Sequence, residues 1–76
     1  MRTFRIIRVL HAKKAGLLIY LPIRMKVVIV RSYIKSRCRY IRIQSTLTGE
    51  CYTILGVDRE ALKEITHEPK GFFPNE

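Results

Sequence analysis

RMKVVIVRSYIKSRCRYIRIQSTLTGECYTILGV, residues 24–57, is the stretch on which the fold turns. Residues 26–34 are rich in β-branched side chains, residues 38–46 alternate apolar with polar, and residues 51–57 return after a turn at Gly49. Such runs predict three strands in meander order. Thr46, Leu47, Thr48 and Gly49 suit a type I turn with Gly49 in the left-handed position of a bulged hairpin. The register that follows pairs Ser45 with Cys51, Ile43 with Thr53, and Ile41 with Leu55. With Val57 these make one largely apolar face, and Tyr40, Arg42 and Gln44 lie beside Tyr52 and Ile54 on the other. A slip of one residue would exchange the partners.

Charge sets this meander apart. Arg24, Lys26, Arg31, Lys35, Arg37, Arg39 and Arg42 fall in residues 24–42 with Tyr33 and Tyr40 between them, and no acid precedes Glu50. Residues 1–49 hold twelve of the fifteen Lys and Arg and none of the six acids. Residues 50–76 reverse the balance, with Arg59, Lys63 and Lys70 against Glu50, Asp58, Glu60, Glu64, Glu68 and Glu76. The total is +9 with a pI near 10.2. A solvated surface would normally intersperse the two signs, so this sorting predicts a polyanionic partner, nucleic acid or an anionic membrane.

Outward from the meander, the 76 residues read as a single domain, residues 1–76. A chain of this length buries only about 60% of its unfolded surface, and a hydrophobic content of 47% still favours folding over disorder. Residues 2–10, with arginines at 2, 5 and 8, read as a strand. Residues 11–16, HAKKAG, form a turn in which Gly16 is free to take φ > 0. Residues 17–23 form a second strand that Pro22 restricts to an edge or an end. Residues 1–23 are thus a basic hairpin tipped by Lys13 and Lys14. Alternatively, since Met25 looks like a natural start, they are an extension that orders on a partner. Lys35, Ser36 and Arg37 make a second cationic tip.

Beyond the meander a helix is expected over residues 58–68, with Asp58 as N-cap, Glu60 in the first turn, an apolar stripe of Ala61, Leu62 and Ile65, and Pro69 as the stop. In the tail, residues 69–76, Phe72 and Phe73 would plug the open end of the sheet. The expected class is mainly β (α+β): a small SH3-like barrel or β-meander of about five strands with one short C-terminal helix.

Several functions are disfavoured by what is missing. The longest apolar run, residues 15–23, falls well short of the roughly 20 residues that span a bilayer. The N-terminus has charge and an apolar stretch but no small-residue cleavage site, and it is too poor in serine for a mitochondrial presequence. Cys38 and Cys51 make no disulfide framework, and neither they nor His11 and His67 have the spacing of a metal site. They read as reduced, small hydrophobes of a cytosolic protein, and no metal or cofactor is expected. There is no Gly-rich phosphate loop and no carboxylate pair outside the expected helix. The basic neighbours of Cys38 could activate a thiol, but no base is brought beside it. The chain is not expected to be an enzyme.

The basic and aromatic residues carry the positive reading. Phosphate contacts are expected from Arg31, Lys35, Arg37, Arg39 and Arg42, supplemented by Lys13, Lys14, Arg2, Arg5 and Arg8. Stacking on a base or sugar is expected from Tyr33 or Tyr40. The plainer account is packing at the core edge for the tyrosines and a solvated face for the arginines. The expected helix is acidic and unsuited to a major groove, so strands and loops would make the contacts, as in other small basic barrels. The order strand, Gly turn, strand, capped helix over residues 39–67 resembles the archaeal chromatin proteins, a basic SH3-like sheet with a short C-terminal helix, although those carry more lysine and acid. The arginine content, short length and basic N-terminal arm resemble the small basic ribosomal proteins. The likeness covers residues 24–67, and no functional residue is carried over from it. Abundant Ile, Val, Arg and Tyr with one Asn and one Gln point to a thermophile.

The reading that follows is a structural RNA-binding protein of the ribosome, the large subunit favoured, with rRNA and neighbouring ribosomal proteins as partners in the cytoplasm. The alternatives are a sequence-tolerant DNA-binding architectural protein and a peripheral membrane protein held on anionic lipid by residues 2–26.

Overall fold

Apolar residues alternate over residues 3–6 and 38–45 and crowd together as apolar runs over residues 17–21 and 27–30, and each of these segments lies in a strand. The computed structural model describes residues 2–65. Its strands are β1 (Thr3–Ile6), β2 (Leu10–Lys14), β3 (Leu17–Leu21), β4 (Lys26–Lys35), β5 (Cys38–Ser45), β6 (Cys51–Leu55) and β7 (Leu62–Glu64), with a 3₁₀ turn over Gly56–Ala61 between the last two. Strand accounts for 62% and helix for 9%, so the protein is mainly β. All pairings are antiparallel, in the order β3-β2-β6-β5-β4-β1-β7, and the sheet curls into a half-barrel.

The curl closes over one face. Phe4 and Ile6 from β1, Leu10 and Ala12 from β2, Leu21, Val27, Ile41, Ile43, Tyr52, Ile54, Ala61 and Leu62 are buried there, with Ile19, Met25 and Ile29 packed around them. Fully burying each Leu or Ile contributes about 1.5–3 kcal/mol, which such a thin core needs. A bulge between Ile29 and Arg31 bends β4. Its first residues can then pair with both β1 and β5, while the rest runs on with β5 as a long hairpin. That hairpin closes through Ser36 and Arg37, both left-handed at φ 52° and 67°. The β2–β3 hairpin closes through Ala15 and Gly16, at φ 52° and 83°. Both are turns of the mirror-image type whose twist matches that of the strands.

Four expectations are corrected. The described chain has seven strands rather than about five. The N-terminal hairpin is β2 with β3, from the Leu10–Leu21 pair to the turn, and residues 3–6 take no part in it: as β1 they go to β4 and β7. Its turn is Ala15 and Gly16, so Lys13 and Lys14 sit in β2 and not at the tip.

The third correction is the register of the β5–β6 hairpin, which is one residue tighter. Ser45 donates its N–H to the Glu50 carbonyl at 2.8 Å and accepts from the Gly49 N–H at 2.9 Å. Ile43 therefore faces Tyr52 and Ile41 faces Ile54. Tyr52 and Ile54 join the core, and Thr53 and Leu55 move to the outer face beside Arg42 and Tyr40. Buried Ser45 explains the tightness, because its hydroxyl accepts from the N–H groups of Leu47 and Thr48, both at 3.2 Å.

The fourth is the helix over residues 58–68. Asp58 caps nothing: the cap position is Leu55, without a side-chain bond, and after Ala61 the chain extends as β7. A helix of two turns is too short to be stable alone. The strand instead satisfies the edge of β1, pairing Phe4, Arg5 and Ile6 with Glu64, Lys63 and Leu62. Arg59 secures the crossover, with its guanidinium 4.6 Å from the Phe4 ring centre and an N–H donated to the Leu62 carbonyl. Residues 66–68 of that helix, and the tail with Phe72 and Phe73, lie outside the described residues.

Candidate nucleic-acid interface

Because side chains alternate across a strand, burying one face of the sheet decides what the other displays. Following the register, the outer face carries Lys13 on β2, Arg31, Tyr33 and Lys35 on β4, Tyr40 and Arg42 on β5, Thr53 and Leu55 on β6, and Arg5, Lys26 and Lys63 toward β7. No acid of the described residues points from a strand to this face. Glu50 and Glu64 lie on the core-side parity of β6 and β7, and Asp58 and Glu60 belong to the 3₁₀ turn.

Like charges meet directly across the strands. Arg31 is opposite Arg42, and Arg5 is opposite both Lys26 and Lys63. Such pairs destabilise a sheet by a few tenths of a kcal/mol to about 1 kcal/mol each. Tyr33 and Tyr40 are also opposite one another, stacked with ring centres 5.7 Å apart and planes at 28°. The Arg31 guanidinium lies 5.2 Å from the Tyr33 ring centre. Across the sheet His11 and Tyr20 form a second ring pair at 4.6 Å.

Two depressions follow from this layout. One, about 330 Å³, separates the two hairpin turns and is lined by Lys13, Gly16, Tyr33, Lys35, Ser36 and Tyr40. The other, about 200 Å³, opens where β2 diverges from β6 and is lined by His11, Lys13, Leu18, Tyr40, Thr53 and Leu55. A larger cleft of about 550 Å³ between Pro22, Ile23, Met25 and the Ser45 turn gathers only Arg24 and Lys26 as cations, with no aromatic ring.

The expected contact residues therefore divide. Lys13, Arg31, Tyr33, Lys35, Tyr40 and Arg42 are brought together on one face. Arg37 stands at the hairpin turn beside them. Arg5 belongs to a separate patch with Lys26 and Lys63, and Arg8 is exposed in the β1–β2 connection. Arg39 points to the opposite side, its stem against Gly56. Two cations are already engaged. Arg2 holds both Glu64 oxygens at 2.9 and 3.0 Å, which raises its own pKa and lowers that of Glu64. Lys14 binds Glu50 at 2.9 Å, and Glu50 also accepts from the Tyr52 hydroxyl. The hydrogen bond from Lys14 is the main cause of the lowered Glu50 pKa.

Sequence reasoning misses His11, Leu18, Thr53 and Lys63. The first two fall in segments that read as turn and edge, Thr53 reads as an inner-face residue, and Lys63 as part of a helix. Correct registers alone would find them. Among the described residues no group of His, Cys, Asp or Glu is gathered to hold a metal, and no helix is long and apolar enough to cross a membrane. Cys38 is exposed, Cys51 half-buried, and both are free thiols. Comparison of the chain with protein-family models, with curated proteins and with solved structures found no match.

Proposed function

We propose that this chain is a structural RNA-binding protein of the small ribosomal type, bracing rRNA through the outer face of β2, β6, β5 and β4. The observation that carries the reading is the placement of Arg31 directly opposite Arg42, next to the Tyr33–Tyr40 stack, on a face without acid. Like-charge pairs that cost the sheet stability are offset by a bound anion, and phosphate with bases supplies both charge and stacking surface. The strand order β7-β1-β4-β5-β6 with a 3₁₀ turn before the last strand supports reading the sheet as an SH3-like small barrel to which the β2–β3 hairpin is added.

Co-sedimentation with ribosomal subunits through a salt-washed gradient tests the assignment. Retention on particles is expected; binding to free duplex DNA and never to particles assigns the DNA-binding alternative instead. Replacing Arg31, Lys35 and Arg42 by glutamine should lower RNA affinity and flatten its salt dependence, by roughly 0.7 for each single-strand phosphate no longer neutralised.

A second reading, peripheral attachment to an anionic membrane, is favoured by one feature. Leu17, Leu18 and Tyr20 of edge strand β3 are 69%, 64% and 67% exposed beside Lys13. Flotation with anionic vesicles is the test, and no binding at moderate salt removes it.

A further inference from the structure

We infer that the cleft between Tyr40 and His11 receives one unpaired nucleobase, so that the ligand of this face is a single-stranded segment and not a duplex. The inference rests on the nucleic-acid reading above and narrows it.

The two tyrosines are not equivalent. Tyr33 is engaged by Arg31 at 5.2 Å and by Tyr40. Both rings are half-buried, but of the two only Tyr40, braced by Tyr33, walls the cleft of about 200 Å³. Across that cleft stand His11, itself held by Tyr20 at 4.6 Å, and Leu18, while Leu55, the cross-strand neighbour of Tyr40, lines it between them. Rings and aliphatic walls suit a planar, weakly polar guest, and Thr53 and Lys13 supply its polar contacts. At about 200 Å³ the cleft is the smaller of the two depressions on this face, and the guest assigned to it is a single base.

A duplex keeps its base faces stacked and its edges paired, so it could offer this cleft nothing but backbone. A single strand can turn a base outward at small cost. The neighbouring groove of about 330 Å³ shares Lys13, Tyr40 and Thr53 with the cleft and adds Lys35 and Tyr33. A strand that leaves a base against Tyr40 therefore passes its next phosphate between Lys13 and Lys35. Tyr33 acts as a positioning residue, holding the Tyr40 ring upright.

Anisotropy titrations of the full chain with an RNA hexamer, a DNA hexamer and a longer, stably paired RNA duplex, compared at equal phosphate concentration, test this. The hexamers should bind more tightly than the duplex, and a difference between the RNA and DNA hexamers reports on ribose contacts. Tyr40→Ala should weaken hexamer binding on the order of tenfold to a hundredfold, leave duplex binding and the salt slope unchanged, and be rescued by Tyr40→Phe. As a measurement independent of affinity, 2-aminopurine in the hexamer should be quenched by the wild type and by Tyr40→Phe. Circular dichroism of the Ala variant checks its fold. Equal affinity for hexamer and duplex, or no quenching by the wild type, overturns the inference while leaving the RNA-binding reading intact. Failure to bind any of the three overturns both.

Discussion

The backbone of Gly56 lies directly on the side-chain stem of Arg39. A Cβ placed on Gly56 would stand 2.8 Å from both Cβ and Cγ of Arg39 and 2.9 Å from its Cδ. The contact seats the 3₁₀ turn against β5 and holds the arginine on the side of the sheet away from the Tyr33–Tyr40 stack. Gly56→Ala should therefore destabilise the fold by about 1–3 kcal/mol through overpacking. Arg39→Ala removes Cγ and Cδ but keeps Cβ, so it should restore only part of that stability. Urea unfolding of the two single variants and the double variant measures this, and strict additivity would refute the contact.

Gly49 is required for a different reason. Its φ of 78° is left-handed, yet a Cβ there would meet only Gln44 Nε2, 4.0 Å away. Strain alone should then set the cost, about 1–2 kcal/mol for Gly49→Ala, with Gly49→Val costing at least as much and Gly49→Asn less. An unchanged urea midpoint in the valine variant would count against this turn.

Arg37 occupies the second position of a turn that favours glycine, at φ 67°. Relief of about 1–2 kcal/mol of strain, less the roughly 0.5–1 kcal/mol of extra entropy in an unfolded glycine, leaves Arg37→Gly more stable by about 0.5–1 kcal/mol. The same variant should bind RNA more weakly, since it loses a cation beside the groove. Higher stability with unaltered affinity would show that Arg37 contacts no phosphate.

Two exposed ion pairs give a pH dependence of known sign. Hydrogen bonds from Lys14 and then Tyr52 hold Glu50 below its ordinary value of 4.5, and the bond from Arg2 does the same for Glu64. A carboxylate depressed in the folded state stabilises fully above its unfolded pKa and ceases to as pH falls through the folded value. Stability should thus decline below about pH 4.5, and Glu50→Gln with Glu64→Gln should flatten that limb. Tyr52 shifts the other way, raised above 10.0 first by burial and then by its bond to Glu50. Its contribution is present below 10.0 and lost as pH rises through the folded value, so Tyr52→Phe should blunt the alkaline limb. Urea midpoints across the pH range measure both limbs.

Alternation in residues 38–45, the β-branched run before it, and Gly49 after it were enough to determine a basic β-meander, because period two and left-handed turns are local properties. The clustering of Arg31, Tyr33, Lys35, Tyr40 and Arg42 was equally legible, since all five lie on one hairpin whose short turn leaves little freedom of pairing. Tertiary structure alone decided the rest. Whether Thr53 or Tyr52 faces outward depended on one residue of loop length, set by the buried hydroxyl of Ser45. Whether residues 58–65 coil or extend depended on β1, whose open edge made strand pairing by Leu62, Lys63 and Glu64 worth more than two turns of helix. His11 and Leu18 came to face Tyr40 only because β2, remote in sequence, docks on β6 through Lys13 and Thr53. Such long-range pairings reflect which edges and faces remain unsatisfied once the local elements exist, and no local pattern encodes them.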